Sequence, residues 1–227
     1  MPRGGVRTLF HNGNEVASVD IKTALTNFIE WLETFESSVN LIAHNCQTFD
    51  MRHLLHSILS CNLGERFRDV VQGFGDTKPY LQKAMPGMKS YSVEALYKSN
   101  FQNANYDCHN AVADVKVLKS LLELCHSHSL SNFTWSLESV EREVSWSDNM
   151  NSLLPSLAPL YSPSPNVVSK SMCKKIAGSG LAYKHLKCVF DRDGPEGLII
   201  LLTSKSSNKI RVTKSEKILN KIVEHFS

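Results

Sequence analysis

The chain has 227 residues and a mass of 25.4 kDa, with 42% hydrophobic and 21% charged residues. That is length for one full domain and a smaller one, and enough apolar content to bury a core, which excludes wholesale disorder. The longest apolar run, Leu198 to Leu202, is far short of the roughly 18 residues of a membrane span, and the first ten residues lack the apolar core of a secretory signal.

Six cysteines (46, 61, 108, 125, 173 and 188) are scattered without a CxxC pair, so neither a zinc finger nor a disulfide framework is indicated. The reading is an intracellular protein with reduced thiols. The net charge of +3 is unevenly spread. Residues 1–130 hold 12 Lys+Arg against 13 Asp+Glu, residues 131–166 hold 1 against 4, and residues 167–227 hold 12 against 5. An anionic partner would therefore meet the last sixty or so residues first.

Apolar periodicity runs from Val16 to about Ser129. Ile21 to Phe35, with apolar residues at 21, 24, 25, 28, 29, 32 and 35, predicts a helix with one buried face. Val39 to Ala43 reads as a short buried strand, and Phe49 to Leu59 as a second helix. Arg68 to Phe74 is expected to be a strand that ends at Asp76-Thr77. Ser92 caps a helix through Tyr97. Ala111 to Cys125 predicts a helix whose inward stripe is 111, 115, 118, 122 and 125. Alternating helices and strands imply an α/β layered fold.

Residues 131–168 are rich in Ser, Asn and Pro, with prolines at 155, 159, 163 and 165, and read as a linker without a long helix. Periodicity returns for a basic helical region over 169–227. The expected domains are thus 1–130, the linker 131–168, and 169–227.

Two carboxylates stand out. Asp114 falls on the expected inward stripe, and Asp50 opens a helix directly after a buried strand. A core-facing carboxylate is costly unless paired or bound to a metal. His109 lies five residues before Asp114, and five helical residues turn about 500°, so it belongs more naturally to the preceding loop. Two oxygen ligands for a hard divalent cation and a histidine able to deprotonate water are parts used in metal-assisted phosphodiester hydrolysis. Each residue also has a plainer reading: Asp50 as a helix-terminal charge, His109 as a loop histidine, His53 and His56 as half-exposed helix residues, and Cys46 as a small buried one.

Leu41-Ile-Ala-His-Asn-Cys-Gln-Thr-Phe-Asp50 resembles the second motif of DnaQ-like 3′–5′ exonucleases. His109-Asn-Ala-Val-Ala-Asp114 resembles the HxAxxD motif of their DEDDh subclass. Lys89 to Tyr97 (KSYSVEALY) is similar to the segment before that motif in three-prime repair exonucleases. The resemblance covers roughly residues 1–126. It implies an RNase H-like mixed sheet flanked by helices, with Asp50 and Asp114 as Mg²⁺ ligands and His109 as the general base. Asn45 would shape the strand end beside the terminal nucleotide.

The family's first motif, DxE, supplies two more metal-binding carboxylates, and no DxE precedes His44 here. Two aspartates alone cannot hold two metals about 4 Å apart. The sequence therefore reads as an N-terminally truncated or catalytically impaired nuclease domain, with Mg²⁺ weakly held or absent. An active Mg²⁺-dependent exonuclease would need an upstream DxE.

In the tail, Lys174-Lys-Ile-Ala-Gly-Ser-Gly-Leu-Ala-Tyr-Lys-His-Leu186 places Gly178 and Gly180 between helical segments. A helix-hairpin-helix turn of this kind grips phosphates through its amides, with Lys174 and Lys175 beside it. The plainer alternative is a helix C-cap. The stretches HLKxxFxRDGxEGL (185–198) and RVTKxxxIL (211–219) resemble the C-terminal region of promyelocytic leukaemia (PML)-like proteins. That resemblance implies a nuclear location and a role as a protein-interaction scaffold. The expected partner is nucleic acid, at a single-stranded DNA or RNA 3′ end, with protein partners as a second class and no membrane.

Overall fold

The computed structural model of the chain describes residues 9–11, 13–101, 110–125, 129–162, 166–206 and 209–227. Contacts divide it into two compact units, Met1–Val140 and Glu141–Ser227. His109 lies outside the described residues.

The first unit opens with a small antiparallel hairpin, β1 (Leu9–His11) and β2 (Asn14–Val16), whose turn carries Gly13 at φ +80. The Asn12-Gly13 dipeptide is its sequence signal. Helix α1 (Ile21–Glu33) starts where Asp20 accepts from the Thr23 amide at 3.0 Å, and buries Leu25, Ile29 and Leu32. Strand β3 (Val39–Ala43) follows, then α2 (Asp50–Ser60), α3 (Gly64–Val70) and β4 (Val71–Asp76). The strand expected from Arg68 begins three residues later, because Gly64 to Val70 forms a helical turn that buries Phe67 under the sheet. Helices α4 (Thr77–Ala84), α5 (Val93–Asn100) and α6 (Ala111–Glu123) lead to a 3₁₀ turn at Leu130–Phe133 and strand β5 (Thr134–Ser136).

The sheet has the order β3-β4-β5, with β3 parallel to β4 and β5 antiparallel to it. The α2–α3 crossover supplies the length that two parallel strands need between them. Strand β4 is central and buried except at Gln72. Its Gly73 is a close-approach position: a Cβ there would lie 2.2 Å from the Trp135 carbonyl oxygen. The unit is therefore mixed α/β with a small mixed sheet and flanking helices, an arrangement that fits an RNase H-like fold.

Residues 137–153, expected inside a linker, form helix α7 (Leu137–Leu153), and the division between the units falls within it. The four prolines all lie at 155 or beyond, so nothing in 137–153 interrupts helical hydrogen bonding. Pro155 and Pro159 sit in the first turns of a 3₁₀ segment (Leu154–Leu157) and of α8 (Ala158–Tyr161), where the missing N–H costs nothing.

The second unit continues with α9 (Lys170–Gly178), α10 (Tyr183–Thr203), a two-residue-per-strand hairpin of β6 (Lys205–Ser206) and β7 (Lys209–Ile210), and α11 (Glu216–Phe226). Helix α10 is kinked at Gly194 (φ +66), just before Pro195. Leu157, Leu160, Cys173, Ile176, Leu186, Leu198, Leu202, Leu219 and Ile222 form its core. It is the expected small helical domain, with a hairpin whose strands are too short to leave a period-two pattern in the sequence.

Because Gly73 faces backbone rather than a yielding side chain, Gly73→Ala should destabilise the first unit by about 2–3 kcal/mol. Urea unfolding followed by Trp fluorescence checks this, and a loss under about 0.5 kcal/mol would show that β4 and β5 part easily.

Candidate functional site

Parallel strands gather their loops at their carboxyl ends, and a cleft of the first unit opens there. Its volume is about 460 Å³, and it is lined by Ile42, Ala43 and His44 from the end of β3, Asp50 from α2, Ser92 to Glu94 from the start of α5, and Ala111, Asp114, Val115 and Leu118 from α6. Asp50 and Asp114 thus face one cleft, although they come from helices far apart in the chain.

Asp50 is the first residue of α2 and is exposed. The N-cap is Phe49, with no side-chain capping bond, so Asp50 is not the cap of its helix, although its charge suits the first turn. Asp114 is half-buried in the first turns of α6, behind the N-cap Asn110, whose side chain accepts from the amides of Val112 (3.1 Å) and Ala113 (3.2 Å).

The inward stripe expected on α6 is corrected. Val117, Leu121 and Cys125 are buried, whereas Ala111 and Val115 (66% exposed) stand open and line the cleft with the half-buried Leu118. Helix α6 has two apolar faces, and spacing alone does not choose between them. Ile42, 44% exposed, adds to the apolar wall.

The strand end is held by a residue that the motifs do not include. Asp76, only 3% exposed, accepts from the amides of Asn45 (2.9 Å), Gln47 (3.1 Å) and Lys78 (2.9 Å). It closes the turn after β3 and caps α4 at once. Its sequence signal is a cap residue before Thr-Lys-Pro, which marks a helix start and says nothing of the distant turn. Asn45 has φ +61, a left-handed conformation that asparagine tolerates better than most residues. Its carbonyl accepts from Thr48, and its side-chain oxygen accepts from Lys78 Nζ at 3.3 Å. Asn45 lies in the turn after β3 and is not among the cleft-lining residues.

His44 joins three elements. Its Nε2 lies 2.7 Å from the Tyr91 carbonyl oxygen, which can only accept, so Nε2 carries a proton; Nδ1 lies 3.0 Å from Thr77 Oγ1. Burial pushes the His44 pKa below its ordinary value, against the raising effects of the Tyr91 bond and the Asp76 charge. His44 therefore pins Tyr91, the residue before the N-cap of α5, to the end of the sheet and fixes one wall of the cleft. Cys46 is buried, and burial with the charges of Asp50 and Asp76 pushes its thiol up to about 12, so it remains a protonated apolar filler. His53 is exposed and packs on Phe49 with ring centres 4.3 Å apart.

Among the described residues no three His, Cys, Asp or Glu side chains are grouped so that they could hold one metal ion. Glu94 also lines the cleft, but it is engaged with Lys98. Among the described residues the donor set does not fit the two-metal centre that the exonuclease resemblance implies.

The phosphate grip expected in the second unit is also corrected. Ser179, Gly180 and Leu181 donate to the carbonyls of Lys175, Ala177 and Ile176, which is the closure of a helix C-terminus. The next two amides donate to His185 Nδ1 (3.1 Å) and Ser156 Oγ (3.2 Å). This turn has no amide left for a phosphate. Gly180 (φ +84) supplies the left-handed turn, and Gly178 lets the Trp146 ring pack where a Cβ would lie 2.2 Å from it. Lys174 and Lys175 remain exposed on α9.

Residues 14–99 match a family model described as the Exuperantia RNAse H-like domain, and residues 153–227 match one described as the PML, C-terminal domain. No curated protein matches the chain. The first match agrees with an exonuclease-like RNase H-like domain without singling out the DnaQ-like family, and the second agrees with the PML-like tail.

Asp76→Ala leaves three amides without their acceptor and should cost about 3 kcal/mol or more, with Asp76→Asn, which keeps one oxygen, in between. Urea denaturation measures both; equal stability of Asp76→Ala and the parent would refute the hub. The unfolded chain binds a proton at His44 more readily than the folded one. Stability from this group is therefore complete above about pH 6.5 and falls as the pH drops through the lowered folded value. Comparing unfolding midpoints at pH 7.5 and 5.5, His44→Gln should lose less on acidification than the parent.

Proposed function

We propose that the first unit is an exonuclease-like domain that binds a nucleic-acid strand end in the β3–α2–α5–α6 cleft but is impaired in hydrolysis. The observation that carries this reading is the meeting of Asp50 and Asp114 in one cleft with an apolar wall, and no third ligand grouped with them among the described residues. Ile42, Val115 and Leu118 offer an apolar surface to a base or sugar. The two carboxylates would lie toward the phosphate, where like charge opposes binding. Mg²⁺ would at most be held weakly between them, and His109 would be the base in a complete enzyme. The strand would be single-stranded DNA or RNA, entering by its 3′ end.

The match of residues 153–227 to the PML C-terminal domain supports placing this chain in the nucleus. It also supports a second reading, in which the protein is a scaffold of nuclear assemblies with protein partners.

Incubation with an end-labelled single-stranded oligonucleotide and Mg²⁺ tests the first reading. The full chain should bind the strand without shortening it. In EDTA, Asp50→Asn and Asp114→Asn should each tighten binding about fivefold, the effect of removing roughly 1 kcal/mol of charge repulsion near a surface. Mg²⁺-dependent shortening that Asp114→Ala abolishes would instead establish an active 3′–5′ exonuclease. Absence of binding to DNA and RNA alike would leave the scaffold reading.

A further inference from the structure

One segment of the second unit is rich in positive charge and poor in acid. Residues 205–221 hold five lysines and Arg211 against a single acid, Glu216. Arg211 is committed: its guanidinium donates to the Ser179 carbonyl at 3.1 Å, tying the base of the β6–β7 hairpin to the end of α9. Lys205, Lys209, Lys214, Lys217 and Lys221 are all exposed, and none has an acidic partner among the described residues. Elsewhere in the unit, Lys187 pairs with Asp191, Arg192 with Asp193, and Lys170 lies over the Tyr161 ring, while Lys174 and Lys175 on α9 and Lys184 on α10 are also exposed.

The fold brings the hairpin and the start of α11 to one corner of the unit. The amides of Arg211, Val212 and Thr213 bond back to Ser204 and Leu202 at the end of α10, so the hairpin projects from the same corner where α11 begins. Lys205 and Lys209 flank the hairpin tip on its two faces, because Lys205 pairs with Ile210 and Lys209 with Ser206. Lys214 stands at the root of α11. Lys217 and Lys221 are one helical turn apart on the face opposite the buried Leu219 and Ile222.

We infer that this hairpin–α11 arc is a binding surface for the phosphodiester backbone of nucleic acid, read by charge and not by base sequence. It is separate from the cleft and rests on the nucleic-acid reading only in the choice of polyanion. Five exposed lysines with a single acid, Glu216, among them suit a ligand with one negative charge per residue. A membrane surface would need large apolar side chains among the lysines, and Ile210 is the exposed one in this segment. An acidic amphipathic helix would need an apolar groove, but the apolar face of α11 is already buried in the unit's core. The surface also replaces the glycine turn as the phosphate contact of the tail.

The test is fluorescence anisotropy of a labelled single-stranded oligonucleotide with the full chain, titrated between about 50 and 200 mM salt. Each lysine that meets a phosphate adds about 0.7 to the slope of log affinity against log salt. Replacing all five by Ala should lower that slope by about 2–3.5 and weaken binding more than tenfold at low salt. Lys→Arg at the same five positions should bind like the parent. K205A/K209A and K214A/K217A/K221A should each give part of the loss, which keeps the test valid if the fivefold variant is unstable. Lys119→Ala/Lys187→Ala, which removes lysines already paired, should leave the slope nearly unchanged.

An unchanged slope in both partial variants would overturn the arc while leaving the cleft reading intact. Loss of binding in those variants, with D50N and D114N both without effect, would uphold the arc and count against the cleft. Binding to phosphatidylserine vesicles with none to DNA or RNA would overturn it in favour of a membrane surface.

Discussion

The first unit depends on one buried carboxylate. Asp76 sits at the end of the central strand and accepts three amides from two directions, so that one side chain ends β4, starts α4 and closes the turn after β3. An ionised carboxylate is tolerated at 3% exposure because those three donors replace its water. The left-handed backbone of Asn45 and the inward position of His44 both follow from that turn. Through His44 and the Tyr91 carbonyl, the same hub reaches α5, so the cleft wall is set by a residue that does not line it.

Much of this was legible in the sequence. Helix α1, strand β3, the capped start of α5 and the long α6 follow from periodicity and capping residues, and the motif resemblance singles out Asp50 and Asp114, which line one cleft. Asp76 was not legible, because a helix cap and a long-range hub have the same spelling. The phase of α6 was not either: Val117 and Leu121 are as apolar as Val115 and Leu118, and only packing against Leu96 and Tyr80 selects the buried face. Helix α7 was hidden by Ser, Asn and acidic residues, which depress a helix prediction without forbidding the helix. The glycine turn was spelled like a phosphate grip, and the difference lies in where its amides point.

In the proposed reading, attraction and recognition are divided between the two units. A cleft with two carboxylates and an apolar wall can select a strand end by shape, but it repels phosphate. The unpaired lysines of the hairpin and α11 have the opposite character: long-range attraction with no means of reading a base. Together they would give salt-dependent capture followed by specific seating, a combination that neither unit provides alone.

Photo-crosslinking of a 3′-terminal 4-thiothymidine oligonucleotide to the full chain, followed by peptide mapping, tests the cleft most directly. The expected result is an intact strand whose 3′ nucleotide attaches within residues 42–50, 92–94 or 111–118. Attachment of that nucleotide solely to peptides of the second unit, or to the far side of α1, would contradict it.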